Sequence, residues 1–313
     1  MSTTYGIDLG TTYSCLAQVS ELSDEVAEVI ANRDNDSTTP SVVLVDQGEV
    51  IVGRQAKNMA RVKPENVARL FKPDMGSEHP FCEIAGKEYW AHELSSLVLK
   101  KLVADAADQG HDVHDVVITV PAYFGFLERS ATKLAGELAG LNVIGVIPEP
   151  TAAAVAYGLR LDPDAPATTL LVYDLGGGTF DVSVVVCEGG SVRVVTTEGD
   201  HELGGSQWDE ALVEQVIGRF LQDNPAAADP RSSPHDDQEL LSQVEQLKQA
   251  LTERESSEVV VRSGAAMGII ALVPHFSEAI SPPIPRRGGR FGWRGFRVRG
   301  RGRVGVCRCR ARA

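Results

Sequence analysis

Apolar residues alternate with polar ones over Thr4–Asp8 and Ser14–Val19, which predicts two short strands around a Gly-Thr-Thr turn. Ser41–Val45 and Val50–Val52 predict another pair, split by Asp46-Gln-Gly48. From Glu93 to Ala107 the apolar positions Leu94, Leu97, Val98, Leu102 and Ala106 follow helical spacing. Val116–Val120 is a continuous apolar run ending at Pro121, the mark of a buried parallel strand, and Val143–Ile147 reads as a second one. Between them Leu127–Ala139 is helical, with Leu134, Leu138 and the alanines expected on the packed face. Thr151–Leu159 predicts a further helix, with Pro150 acceptable at its first turn.

After residue 168 the pattern turns to β. Thr169–Tyr173, Phe180–Cys187 and Val192–Thr197 read as strands joined by glycine turns. Gln207–Leu221 then carries a helical stripe at Leu212, Val213, Val216 and Phe220. A second stripe follows at Leu240, Val244, Leu247 and Leu251. Asn224–Asp237 reads as a loop between them, and Val259–Val261 and Ile269–Val273 as late strands. Strands around a Gly/Thr turn open each half of this pattern, so two similar α/β lobes with a ligand between them are expected.

The chain has 313 residues, enough for one large two-lobed domain. No run approaches 18 consecutive apolar residues and the first residues lack a signal-peptide pattern, so a cytoplasmic protein with no membrane association is expected. Five cysteines are too few and scattered for a disulfide framework. Cys15 and Cys187 are read as buried thiols, and Cys307-Arg-Cys309 lacks the second pair a zinc site needs. The net charge of −13 hides a split: eleven arginines and no acid after Ser281 give that segment +11, leaving −24 for the rest. So acidic a body does not bind nucleic acid by default.

Asp8-Leu-Gly-Thr-Thr12 and Asp174-Leu-Gly-Gly-Gly-Thr179 share one construction, an Asp at a strand end followed by glycine and threonine. Glycine lets backbone N–H groups approach an anion without a Cβ in the way, threonine adds hydroxyl donors, and the Asp can anchor Mg²⁺ directly or through water. Either turn alone is an ordinary hairpin turn, but two copies about 165 residues apart suit a clamp on one set of phosphates. Neither is a Walker A loop or a dinucleotide fingerprint.

Ile7–Thr12, Thr39-Pro-Ser-Val-Val43, Ile118–Phe124, Glu149–Ala154, Tyr173–Asp181 and Leu203-Gly-Gly205 occur in an order that resembles the nucleotide-binding domain of 70-kDa heat-shock, DnaK-type chaperones. The resemblance runs from residue 4 to about 262 and implies an actin-like ATPase (ribonuclease H-like) two-lobed α/β fold. It implies ATP or ADP with Mg²⁺ as cofactors, and K⁺ as a candidate second ion. A J-domain co-chaperone and a nucleotide-exchange factor are the implied partners, in protein folding and the stress response. Lobe I would span 1–165, with 38–112 its small subdomain, and an incomplete lobe II 166–275. Residues 276–313 would be a disordered or frame-shifted Arg/Gly-rich tail.

Carried over by residue, Thr11, Thr12 and Tyr13 resemble the first phosphate loop, and Gly176, Gly177, Gly178 and Thr179 the second. Asp8 and Asp174 resemble the magnesium anchors, with Thr179 and Asp181 near the attacking water. Lys72 resembles the lysine that stabilises charge at the γ-phosphate; a mobile ammonium suits charge that develops in the transition state. Without the resemblance, Lys72 reads as a surface lysine and Glu149 as a helix-terminal carboxylate. The resemblance places Glu149 in the cleft and joins it with Pro121 and Arg129 in a relay to the partner domain. Gly204 and Gly205 resemble a phosphate-side loop, and Glu245, Lys248 and Thr252 share a helix face that touches adenosine in the family.

Two features depart from the family. Gln249 stands where an arginine usually stacks on the base, and Gly125-Phe-Leu-Glu128 replaces a polar turn. The family chain would also continue into the rest of lobe II, a linker and a peptide-binding domain, where this sequence has the Arg/Gly-rich run. A frame shift in a GC-rich gene accounts for that composition better than an RGG-like RNA-binding tail. The competing readings are a truncated product with residual ATP binding, and an actin-like filament protein or sugar kinase of the same superfamily.

Overall fold

In the computed structural model the described residues are 3–19, 27–156, 164, 166–272 and the backbone of 304–309. The chain divides into two compact units, residues 1–204 with 302–313, and residues 205–301. Both glycine turns lie in the first unit.

Strand β1 (Thr4–Asp8) buries Tyr5 and Ile7 and exposes Thr4, Gly6 and Asp8, as period-two alternation requires. It pairs antiparallel with β2 (Tyr13–Val19), which is flanked by β3 (Ala27–Ile30) and by β4 (Thr39–Pro40). Next come β5 (Val42–Asp46), β6 (Glu49–Val52), helix α1 (Arg54–Met59) and β7 (Val67–Arg69). These strands form a sheet in the order β6-β5-β7, closed by Val42 and Leu44 of β5 and Ala56 of α1. A hairpin of β8 (Cys82–Ile84) and β9 (Lys87–Tyr89) leads into α2 (Ala91–Ala107), which buries Leu94, Val98, Leu102 and Ala106. Leu97, expected on the same face, is only half-buried.

Strand β10 (Asp115–Val120) pairs parallel with β1 on one side and with β11 (Asn142–Pro148) on the other. Its Val116, Ile118 and Val120 are fully buried but Val117 and Thr119 are half-buried, so one face is sealed where the apolar run implied a wholly buried strand. β11 is an edge strand and leaves Ile144 54 % exposed, so it is not the wholly buried strand expected.

The crossover between them is helix α3 (Phe126–Leu138), and its packing face also differs from the expectation. Thr132, Ala135 and Gly136 face the core, while Leu134 and Leu138 are exposed. A Cβ on Gly136 would lie 2.3 Å from Val143 Cγ2, so helix and strand approach too closely for leucine between them. Helix α4 (Glu149–Ala156) starts directly from β11; its expected continuation to Leu159 lies outside the described residues.

A further sheet of this unit contains a meander of β12 (Thr168–Leu175), β13 (Phe180–Glu188) and β14 (Ser191–Asp200). Its core is Leu170, Val172, Val185 and Cys187 with Ala154 of α4.

In the second unit, α5 (Gly205–Asp223) and α6 (Pro234–Ala250) pack with the hairpin β15 (Ser257–Ser263) and β16 (Ala266–Leu272). Leu212, Val213, Val216, Phe220, Leu240, Val244 and Leu247 are buried together, so both predicted stripes face one core. The expected loop 224–237 is shorter than the sequence suggested. Pro230–Ser232 forms a 3₁₀ turn, and α6 begins at Pro234 because Ser233 accepts a hydrogen bond from Asp236 N and Pro234 fits the first turn.

The last strand, β17 (Val304–Cys309), belongs to the first unit and pairs antiparallel with β12, from Asp174↔Val304 to Thr169↔Cys309. No element was expected in this Arg/Gly-rich segment. The β-branched Val304 and Val306 favour an extended backbone, and β12 has an open edge for it.

Candidate functional site

The turn Leu9–Thr12 is braced from beneath. Gly10 N donates to Ser14 Oγ (3.1 Å), Ser14 Oγ and Ser41 Oγ are hydrogen-bonded at 2.9 Å, and Ser41 Oγ donates to Gly10 O (2.8 Å). Ser41 N also donates to Thr12 O at 2.9 Å. Both serines are buried, so this network fixes the turn from inside the protein. Sequence reasoning assigned no role to Ser14 or Ser41. The signal was a pair of small hydroxyl residues flanking the turn and following β4.

The second turn closes on itself through Gly176 N donating to Thr179 O at 2.8 Å. Its glycines are required by proximity. A Cβ on Gly177 would fall 1.5 Å from Thr12 Oγ1, and one on Gly178 would fall 3.1 Å from Thr11 Cγ2. A Cβ on Gly204 would meet Gly178 N at 2.4 Å. Three glycine-bearing turns therefore converge, bringing Thr11, Thr12, Gly177, Gly178, Thr179 and Gly204 into one cradle. Tyr13, just beyond, is held by Lys57, whose Nζ donates to its hydroxyl at 2.9 Å.

Beside the cradle, Lys72 is only 5 % exposed, not the surface lysine its sequence context suggests. It opens the 3₁₀ turn Lys72–Asp74, two residues after Leu70, which holds a left-handed backbone (φ 60°). A branched residue in that conformation costs about 1 kcal/mol or more, strain that recurs next to functional groups. Lys72 Nζ donates to Glu149 Oε1 at 2.6 Å.

Asp174 feels burial first, then the charges of Glu149 and Asp8, and its carboxyl is pushed up to about 7 despite Lys72. Burial likewise raises Glu149, opposed by Lys72, and raises Asp181, opposed by His201 and then Lys72. Asp8 accepts a hydrogen bond from Thr119 Oγ1 at 2.8 Å. Cys15 lies close by; burial, with Asp8 adding, pushes its thiol up to about 11, so it is an inert thiol.

Four carboxylates with one ammonium among them form a pocket of excess negative charge, poised for a hard cation. Among the described residues no three His, Cys, Asp or Glu side chains converge as a ready-made metal cage. That donor set fits Mg²⁺, which uses one or two carboxylates and completes its shell with water and phosphate oxygens, and Asp8 and Asp174 would supply them.

The relay residues are placed less directly. Arg129 Nε donates to Phe124 O (2.8 Å), and Phe124 N donates to Pro121 O (3.2 Å). Tyr123 lies within electrostatic reach of Asp181, Glu149 and Glu128, which with burial raise its phenol. Arg129 and Pro121 are thus joined through the Phe124 backbone. Tyr123 and His201 were both missed by sequence reasoning.

In the second unit, Lys248 Nζ bonds to Asp209 Oδ1 and to Gly205 O, each at 2.7 Å, fastening α6 to the start of α5. Thr252 is not on the helix with Glu245 and Lys248. α6 stops at Ala250, and the Thr252 hydroxyl donates to Gln249 O (2.7 Å) in the following turn.

The family model described as Hsp70 protein matches residues 4–83 and 81–269, which takes in the cradle, Lys72 and the carboxylates. The chain belongs to the Hsp70 family. Chaperone protein DnaK from two strains of Halobacterium salinarum, R1 and NRC-1, is 44 % identical over 255 residues, covering 81 % of this chain. The chain spans 39 % of the length of those relatives. As an Hsp70-family chain it has the actin-like ATPase fold, and its described part corresponds to the nucleotide-binding domain.

Proposed function

We propose that the chain binds ATP with Mg²⁺ in the Thr11–Thr12, Gly176–Thr179 and Gly204 cradle and hydrolyses its terminal phosphate bond. The observation that carries this reading is the convergence of the glycine turns, with Thr12 Oγ1 lying where a Gly177 Cβ would be. Backbone N–H groups and threonine hydroxyls in that arrangement suit a polyphosphate. Mg²⁺, held by Asp8 and Asp174, would neutralise phosphate charge and orient the chain of phosphates.

The remaining chemistry falls to the chain's own residues. Lys72 supplies a buried ammonium for charge on the transferred group, and Glu149 fixes where that ammonium points. Thr179 and Asp181, both buried, orient a water and accept its proton. Asp181 suits the second role because burial raises its basicity. Pro121, Arg129 and Glu149 would report the nucleotide state to a peptide-binding partner domain. A J-domain co-chaperone and a nucleotide-exchange factor are the partners that Hsp70 membership supports, in the cytoplasm. No helix among the described residues is long and apolar enough to cross a membrane.

Isothermal titration of the chain with ATP·Mg²⁺ tests the reading. Asp174→Asn should weaken binding on the order of tenfold or more, as loss of a metal-holding carboxylate does. Indistinguishable titrations for the two proteins would overturn it.

A further inference from the structure

Gly10, Ser14 and Ser41 close a ring of hydrogen bonds. Ser41 Oγ carries one proton and gives it to Gly10 O at 2.8 Å, because a carbonyl only accepts. The 2.9 Å bond between the two hydroxyls therefore runs from Ser14 to Ser41, and Ser14 Oγ in turn accepts from Gly10 N at 3.1 Å. The sequence of donors starts at the Gly10 N–H and ends at the Gly10 carbonyl, so both backbone groups of this residue are engaged beneath the turn. Ser14 and Ser41 are each 1 % exposed, and bulk water does not reach the bonds between them.

Ser41 also fixes a second peptide plane, since its N–H donates to Thr12 O at 2.9 Å. In a trans peptide the N–H points opposite to the carbonyl, so the Tyr13 N–H is turned away from Ser41. Between these two anchors the turn is tight: a Cβ on Gly10 would lie 2.1 Å from Tyr13 O. On its other side it has little room to shift, because Thr12 Oγ1 lies 1.5 Å from where a Gly177 Cβ would be. The ring is held by strands, with Ser14 in β2 paired to Thr39 and Ser41 between β4 and β5.

We propose that Ser41, acting with Ser14, is a positioning residue of the phosphate site: the closed ring withdraws Gly10 from the ligand and leaves the Thr11–Tyr13 segment to present this turn's donors to the polyphosphate. The inference rests on the phosphate-site reading and deepens it by dividing the turn into a part that grips and a part that is gripped from below. A ring in which each member donates and accepts in one direction strengthens every bond in it. Losing any one link leaves a Gly10 backbone group unpaired and releases the turn to rotate. The two serines therefore act as one unit. A triphosphate then meets donors already set in place and does not have to order them on arrival.

The test is the affinity for ATP·Mg²⁺, measured by isothermal titration on the full chain well below the melting temperature of each protein. Ser14→Ala and Ser41→Ala should each weaken binding about five- to twentyfold, and the double variant should lose no more than the weaker-binding single one. Ser41→Cys, which keeps the volume and donates only weakly, takes the place of Ser41→Ala if that protein does not fold. Asn32→Ala is the control for a merely structural role. It removes buried hydrogen bonds to Thr38 O and Thr39 Oγ1 and from Asp34 N and Asp36 N, outside the ring. It should melt lower than the wild type and bind as the wild type does. Serine variants that melt lower yet keep wild-type affinity would sink the proposal, as would losses that multiply in the double variant or an equal loss in Asn32→Ala. Absence of binding by the wild type would instead overturn the phosphate-site reading, and this inference with it.

Discussion

Asp174 shows what the site costs the fold. Its carboxyl ordinarily titrates at 3.8 and here at about 7, so the folded chain holds its proton more tightly than the unfolded chain does. The stability this contributes is fully present below the unfolded value and is lost as pH rises through the folded one. Above pH 7 the ionised group therefore burdens the unliganded protein by on the order of 1–3 kcal/mol, allowing for its coupling to Glu149 and Asp8. Asp174→Asn removes that burden. Without nucleotide it should melt above the wild type at pH 8, and the gap should close near pH 5, as followed by scanning calorimetry. A variant that melts below the wild type at pH 8 contradicts this account.

The two Asp-Gly-Thr turns were legible because each carries its signal within six residues. Lys72 was visible only through the motif register, since its burial depends on Glu149, far along the chain. Tyr123 and His201 left no local trace, because their meaning lies entirely in a long-range contact.

At the scale of elements, apolar spacing located the helices but did not say which face packs. In α3, Leu134 and Leu138 fit a helical stripe as well as the alanines do, and a pattern of residue types cannot see how closely β11 approaches. Gly136 decides the matter, because only a missing side chain lets the helix lie against Val143 and Ile118. Helix propensity alone favours Gly136→Ala by about 1 kcal/mol. The added Cβ would overlap stiff, branched Val143, and overpacking of that kind costs about 1–3 kcal/mol. Gly136→Ala should therefore destabilise the protein in urea denaturation, and adding Val143→Ala should recover part of the loss. Leu134→Glu, on the exposed face, should change stability by no more than about 0.5 kcal/mol. If Leu134→Glu proved the costlier change, the face read from spacing would be the true one.

For the whole molecule, repetition of the glycine turn suggested two halves meeting at one ligand. The second turn packs on the first, and both lie in the first compact unit. Residues 205–301 retain a core of their own, drawn from α5, α6, β15 and β16. Phe220 is fully buried at its centre, and it lies so close over β16 that a Cβ on Gly268 would be 3.0 Å from its Cδ2. Truncating such a ring costs about 3–5 kcal/mol, the lost transfer free energy plus an unfilled cavity. Phe220 belongs to the core formed by α5, α6, β15 and β16, so the cost is expected to fall on that core. In Phe220→Ala, amide hydrogen exchange followed by mass spectrometry should accelerate throughout α5, α6, β15 and β16 and stay at wild-type rates in β1, β10 and β13. Equal acceleration in β1 and β10 would mean that the units unfold together, and that the contact pattern separating them does not govern stability.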